Sequence, residues 1–155
     1  MIRADVITSN RSWIKFIKVP KLYINKKLKK IGIRTNLLKK NNCKFTILLS
    51  GSSEIKKLNI RFRKKNKTTD ILSFPSYEKK FLNKLLKKKN NQVYLGDIII
   101  NLSKIKQQSK NKNFSFNFDK IWIHGLVHLL GHRHKSNLDF SIMKKIENKL
   151  LQSIE

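Results

Sequence analysis

This chain of 155 residues has one cysteine, one alanine, two prolines, nine acidic residues and four histidines. With Cys43 as the only cysteine, no internal disulfide can form, and the chain fits a reducing compartment. No apolar run approaches the roughly 18 residues that a membrane helix needs. The opening stretch MIRADVITSNRSW carries Arg3 and Asp5 where a signal peptide would need an unbroken apolar core. A soluble, cytoplasmic protein with no membrane partner is therefore expected. The length suits one domain able to bury a core without disulfides, and no repeat or linker divides it, so residues 1–155 read as a single domain.

The scarcity of acids leaves 36 Lys and Arg against 9 Asp and Glu, a formal charge of +27. That excess goes far beyond the needs of solubility and suits a polyanion, most simply nucleic acid. The abundance of Lys, Asn and Ile beside the lone Ala4 is also the drift that A- and T-rich codons produce, so part of the charge reflects composition rather than binding.

All four histidines fall in one stretch, IWIHGLVHLLGHRH, from Ile121 to His134. His124 and His128 are four apart, so on a helix of about 3.6 residues per turn they share a face and can close on one ion. Ile121, Trp122, Ile123, Leu126, Val127, Leu129 and Leu130 make this helix apolar nearly all round, as a buried helix reads. Gly131 can take positive φ and end it, turning the chain so that His134 approaches the other two while His132 points elsewhere. Three imidazoles and an open fourth position describe a catalytic zinc site holding one ion. Hydrogen-bonded core histidines are the ordinary alternative, and a closed structural zinc site is another, although such sites favour cysteine and Cys43 is far away in sequence. The spacing H-x3-H-x2-G-x2-H matches metzincin peptidases, but Gly125 stands where their glutamate base would be, which argues against a peptidase of that mechanism.

Around this stretch the pattern predicts an α+β domain: a mixed sheet of about four strands packed by about five helices, with the zinc site on a core helix and the turn after it. Strands are expected over Ile2 to Ile7, Cys43 to Leu49 (internal), Ile71 to Phe74 before Pro75, and Tyr94 to Asn101, where Gly96 marks a bulge or a close backbone approach. A basic, mostly exposed helix starts at Pro20, with Leu22, Tyr23, Leu28 and Ile31 in weak period and Gly32 interrupting. Ser52 caps a helix with Glu54 in its first turn and Ile55, Leu58, Asn59 and Phe62 on one face. It runs into a basic turn, Arg63 to Asp70, suited to phosphate contact. Tyr77 to Gln92, with Phe81, Leu82, Leu85 and Leu86 on a helical face, reads as a mobile basic insertion. Leu102 to Ser109 is a short helix, and Asn111 to Asn117 a turn leading to the histidine helix. Ser136-x-x-Asp139 caps a last helix with Phe140, Met143, Ile146 and Leu150 on one face.

Three stretches resemble one family, the YbeY-type single-strand-specific endoribonucleases of ribosomal RNA maturation. The family signature H-G-x-L-H-L-x-G-x-D-H is matched at His124, Gly125, His128, Leu129, Gly131 and His134, with Val127 for the usual Leu. An L-N-x-x-[YF]-R helix followed by K-P-T-D-V-L-S-F-P is similar to Leu58, Asn59, Phe62 and Arg63 and then the run Lys67 to Pro75. L-G-D-I is Leu95 to Ile98. The resemblance covers roughly residues 50 to 150 and departs from the family at Arg133, where aspartate is usual, and at Thr68, where proline is. A cation at Arg133 opposes metal charge where a carboxylate would support it.

The resemblance implies that His124, His128 and His134 hold one Zn2+ and that Arg63 is the catalytic or substrate-positioning arginine. It implies single-stranded and ribosomal RNA as substrate, the ribosome or its small subunit as partner, a role at the 3′ end of small-subunit RNA and in ribosome quality control, and no DNA. Asp70 and Asp97 read either as orienters of imidazole or as cap and turn residues, and Ser73 as structural. Two other function classes stand beside the nuclease: a metzincin-like hydrolase of another substrate, and a basic RNA- or ribosome-binding protein whose metal site is vestigial or structural, which Arg133 favours.

Overall fold

The computed structural model describes residues 1–155 apart from Thr35, Asn111 and Lys112, and apart from the side chains of residues 32–37. Alternation at the N-terminus becomes strand β1 (Ile2–Thr8), with Ile2 and Ala4 buried and Arg3 and Asp5 exposed. The same period sends Cys43, Phe45, Ile47 and Leu49 of β2 (Asn42–Ser50) into the core. β3 (Ile71–Pro75) and β4 (Gln92–Asn101) complete a four-stranded sheet in the order β1-β2-β4-β3, parallel except for the antiparallel edge strand β3. β2 is internal, as its composition predicts.

Gly96 both marks a bulge and permits a close approach. Lys44 and Thr46 of β2 face Tyr94 and Asp97 of β4, so β4 carries an extra residue there. The extra residue changes which parity faces the core: Val93 and Leu95 are buried before it, Ile98 and Ile100 after it. Gly96 has φ +131, and a Cβ there would lie 2.1 Å from the Phe74 carbonyl oxygen.

One face of the sheet carries α1 (Pro20–Arg34), α6 (Phe114–Leu129) and α7 (Asn137–Ile154), with α6 lying across β3 and β4 and α7 against α6 and α1. The other face is covered at its β3 end by α3 (Ser52–Arg63), where Ile55, Leu72 and Ile99 form a second small cluster. Four shorter elements complete the described chain: a 3-10 turn (Arg11–Lys15), α2 (Asn36–Lys39), α4 (Lys79–Lys87) and α5 (Leu102–Gln108). The α+β architecture and the buried histidine helix agree with the sequence reading. No helix among the described residues is long and apolar enough to cross a membrane.

Several local expectations need correction. α1 is anchored rather than mostly exposed, because Ile24, Leu28 and Ile31 bury completely, while Leu22 stays 66% exposed; the helix also continues through Gly32 to Arg34. The N-cap of α3 is Gly51, and the Ser52 hydroxyl instead bonds to Asn101. Helix α4 is packed in place by Leu82 and Leu86, which its lysines obscured, while Phe81 faces outward. α6 starts at Phe114 rather than after Asn117: the Asn113 side chain accepts from the Ser115 amide, and Phe114 and Phe118 pack on Trp13; Asn111 lies outside the described residues. The buried stripe of α7 is Met143, Glu147, Leu150 and Ile154, with Phe140 60% exposed.

Candidate active site

The C-terminal end of α6 is built by a Schellman turn. The Gly131 amide donates to the His128 carbonyl and the His132 amide to the Val127 carbonyl, with Gly131 at φ +87. This reversal carries His134 back over the helix end it has just left. One ring nitrogen from each of His124, His128 and His134 lies within 4.8 Å of the others, a group that could hold a metal ion. His132 contributes its backbone, not its ring, which burial and the Lys79 ammonium hold below the usual imidazole pKa.

Two rings are oriented from behind. The Glu147 carboxylate on α7 accepts from Nδ1 of His124 at 2.6 Å, and the His132 carbonyl accepts from Nδ1 of His128 at 2.9 Å. Each contact puts the proton on Nδ1 and leaves the Nε2 lone pair facing the cluster. The two Nε2 atoms are 3.1 Å apart. Two zinc–nitrogen bonds of about 2 Å each span at most about 4 Å, so this pair fits a shared ion. His128 is pushed down to a pKa of about 4, chiefly by burial and then by His124, and is therefore neutral, as a ligand must be, at pH 7.

The histidines form one wall of a cleft of about 580 Å³ along the free edge of β3. The end of α3 and the basic loop after it line the same cleft. Arg63 reaches into this cleft: its Nη2 donates to the Ser73 carbonyl at 2.8 Å, and its guanidinium lies 5.3 Å from the Phe74 ring centroid. Lys65, Lys67, Lys79, Arg133 and Lys135 line the same space, against Asp70 and Glu78. Arg133 is exposed and, among the described residues, makes no ion pair. The loop holds its shape because buried Asn59 donates to the Lys67 carbonyl and buried Asn101 donates to Thr68 and Thr69. Ser73 thus acts through its backbone, while its buried Oγ has no partner among the described residues.

A family model described as endoribonuclease YbeY matches residues 10–155. The chain belongs to the endoribonuclease YbeY family. An endoribonuclease YbeY of Pelagibacter ubique is 43% identical over 167 aligned positions, which take in all of this chain and 97% of the relative. The YbeY of Buchnera aphidicola from Acyrthosiphon pisum is 41% identical over 137, covering 86% and 80%. The solution structure of a Thermotoga maritima protein superposes with a TM-score of 0.57 at 24% identity, covering 99% of this chain and 89% of that one, a likeness of fold.

Within this YbeY-family site, neither Asp70 nor Asp97 orients an imidazole. Asp70 accepts from the Thr69 hydroxyl, and Asp97 accepts from Tyr94 on the open face of the sheet. The carboxylate behind His124 is Glu147, which the sequence reading missed. Its signal was present, since it is an acid at the centre of the apolar stripe from Met143 to Leu150, where an unpaired charge would be costly.

Proposed function

We propose that this protein is a zinc-dependent endoribonuclease that cuts single-stranded RNA in the cytoplasm during ribosomal RNA maturation, acting on the small ribosomal subunit and its RNA 3′ end and serving ribosome quality control. The observation that supports this reading is that three convergent histidines and one anchored arginine line a single cationic cleft. A phosphodiester lying in that cleft meets both the Arg63 fork and the histidine group.

The donor set fits zinc: three imidazoles, two of them oriented from behind, with room for a fourth ligand on the cleft side. Zinc held there supplies a Lewis acid for a phosphoryl oxygen and lowers the pKa of water to about 7. The chain's own residues do the rest. Glu147 and the His132 carbonyl fix the tautomers of His124 and His128. Arg63, held by the Ser73 carbonyl, keeps its other N–H groups for phosphate oxygens as charge develops on them. Lys65, Lys67, Lys79, Arg133 and Lys135 balance the flanking phosphates.

Metal analysis of the purified protein, with cleavage of single-stranded against duplex ribosomal RNA and His128→Ala in parallel, tests the reading. The expected result is zinc near one per chain, cutting confined to unpaired strands, and loss of both in the variant. Tight RNA binding without metal or cutting would favour the second reading, a binding protein with a vestigial site, for which Arg133 in the cleft is the specific observation.

A further inference from the structure

We propose that Phe62 is a stacking platform for an unpaired nucleobase at the rim of the cleft. The inference rests on the functional reading above and adds to it the group that selects unpaired strands.

Phe62 shares the apolar face of α3 with Ile55 and Leu58, yet it is 55% exposed whereas Ile55 is fully buried. Ile55 packs on Leu72 and Ile99, over the sheet. Phe62, on the last turn of the helix, lies against the edge strand, with its ring edge-on to Phe74 at 5.4 Å and 63°. The side chain thus rests against Phe74 and Arg61 and keeps more than half of its surface open to solvent.

Two guanidinium groups flank this aromatic pair. Arg61 lies 5.3 Å from the centroid of Phe62, and Arg63 lies 5.3 Å from that of Phe74. An aromatic ring beside cations is what a single nucleic-acid strand recognises, since the base stacks while its phosphates meet the charges. Arg63 lines the cleft, so a base on Phe62 belongs to a nucleotide close to the phosphate that Arg63 contacts. A base inside a duplex is already stacked on both faces and cannot use this ring.

Phe16, Tyr94 and Phe81 lack one or more of these features. Phe16 is stacked on Phe114 at the far end of α6, and the Tyr94 hydroxyl is engaged by Thr46 and Asp97 on the open sheet face. Phe81 leans on Tyr77, with no guanidinium over its ring among the described residues.

The test titrates full-length wild-type, Phe62→Leu and Phe62→Trp proteins on ice with three ligands: a single-stranded RNA oligonucleotide, its duplex, and a strand of equal length without bases, each shown intact by gel. Phe62→Leu should bind the single strand at least about fivefold more weakly. Its salt dependence should be unchanged, because no charge is lost, and its affinity for the other two ligands should match wild type. Phe62→Trp should restore binding and show fluorescence quenching by the single strand, over the steady emission of buried Trp13 and Trp122. If wild type prefers single strands but Phe62→Leu binds them equally well and Phe62→Trp is not quenched, the platform is elsewhere and the functional reading stands. Equal weakening toward all three ligands also overturns the inference, because it marks a general loss of the surface. If wild type fails to bind single strands, the functional reading falls and this inference with it.

Discussion

Glu147 stands directly behind one of the three convergent histidines. It is 9% exposed, and its carboxylate orients His124 from a different helix. Glu147→Gln keeps an oxygen for the Nδ1 proton but removes the negative charge behind the ligand, so zinc affinity should fall about tenfold or more in a competition titration, with the fold intact by circular dichroism. Arg63 is the complementary case. In a chain of net charge +27, losing a diffuse contact would change RNA binding little, whereas losing a planar fork made in the transition state removes rate. Arg63→Lys should retain zinc and RNA affinity while single-turnover cleavage drops about a hundredfold. The histidines were legible in sequence because a four-residue spacing on a helix is local geometry. Glu147 could be noticed as an acid within an apolar stripe, but its pairing with His124 was not legible, because that partner lies 23 residues away on another helix.

At the scale of elements, α6 shows why a glycine stands between two histidines. A Cβ at Gly125 would lie 2.9 Å from Ile71 Cδ1 and from Ile98 Cδ1 and Cγ2, so the missing side chain is what lets the helix seat on β3 and β4. In sequence this position reads as the absence of a peptidase base and as a match to the family signature, not as a packing requirement. Gly125→Ala should push the helix off the sheet and cost about 1–3 kcal/mol, seen as a melting temperature lower by several degrees, with weaker zinc because His124 and His128 ride on the same helix. The end of α6 was readable from Gly131, whose positive φ is a backbone requirement. Its beginning was not, because Phe114 and Phe118 become helical by packing on Trp13, about a hundred residues earlier in the chain. For α4 the lysines suggested a mobile insertion, and the burial of Leu82 and Leu86 was decided by neighbours that sequence does not name.

For the whole molecule, stability depends on pH through His128. His128 has a folded pKa of about 4, below the unfolded imidazole value of about 6.5. Between those values the unfolded chain binds more protons than the folded one. The metal-free protein should therefore hold its full His128 contribution above about pH 6.5 and lose it as the pH falls toward 4. Chemical denaturation at pH 7.5, 6 and 4.5 measures this, and stability that does not fall across the series would contradict the assignment. His128→Ala removes the titrating group, so its curve should be flatter over the same window.

Sequence alone determined the class of the domain, the buried helix, the histidine face, the glycine that ends it and the cationic character of the surface. Each follows from periodicity, backbone conformation or charge count, which are properties of neighbouring residues or of the chain as a whole. Tertiary structure decided that Arg63 and the histidines line one cleft beside β3, that Glu147 stands behind His124, and that Phe62 stays exposed beside Phe74 instead of joining the core. Those placements depend on strand order and on where a helix outruns the sheet beneath it. They are set by packing between segments far apart in the chain, and no local pattern encodes them.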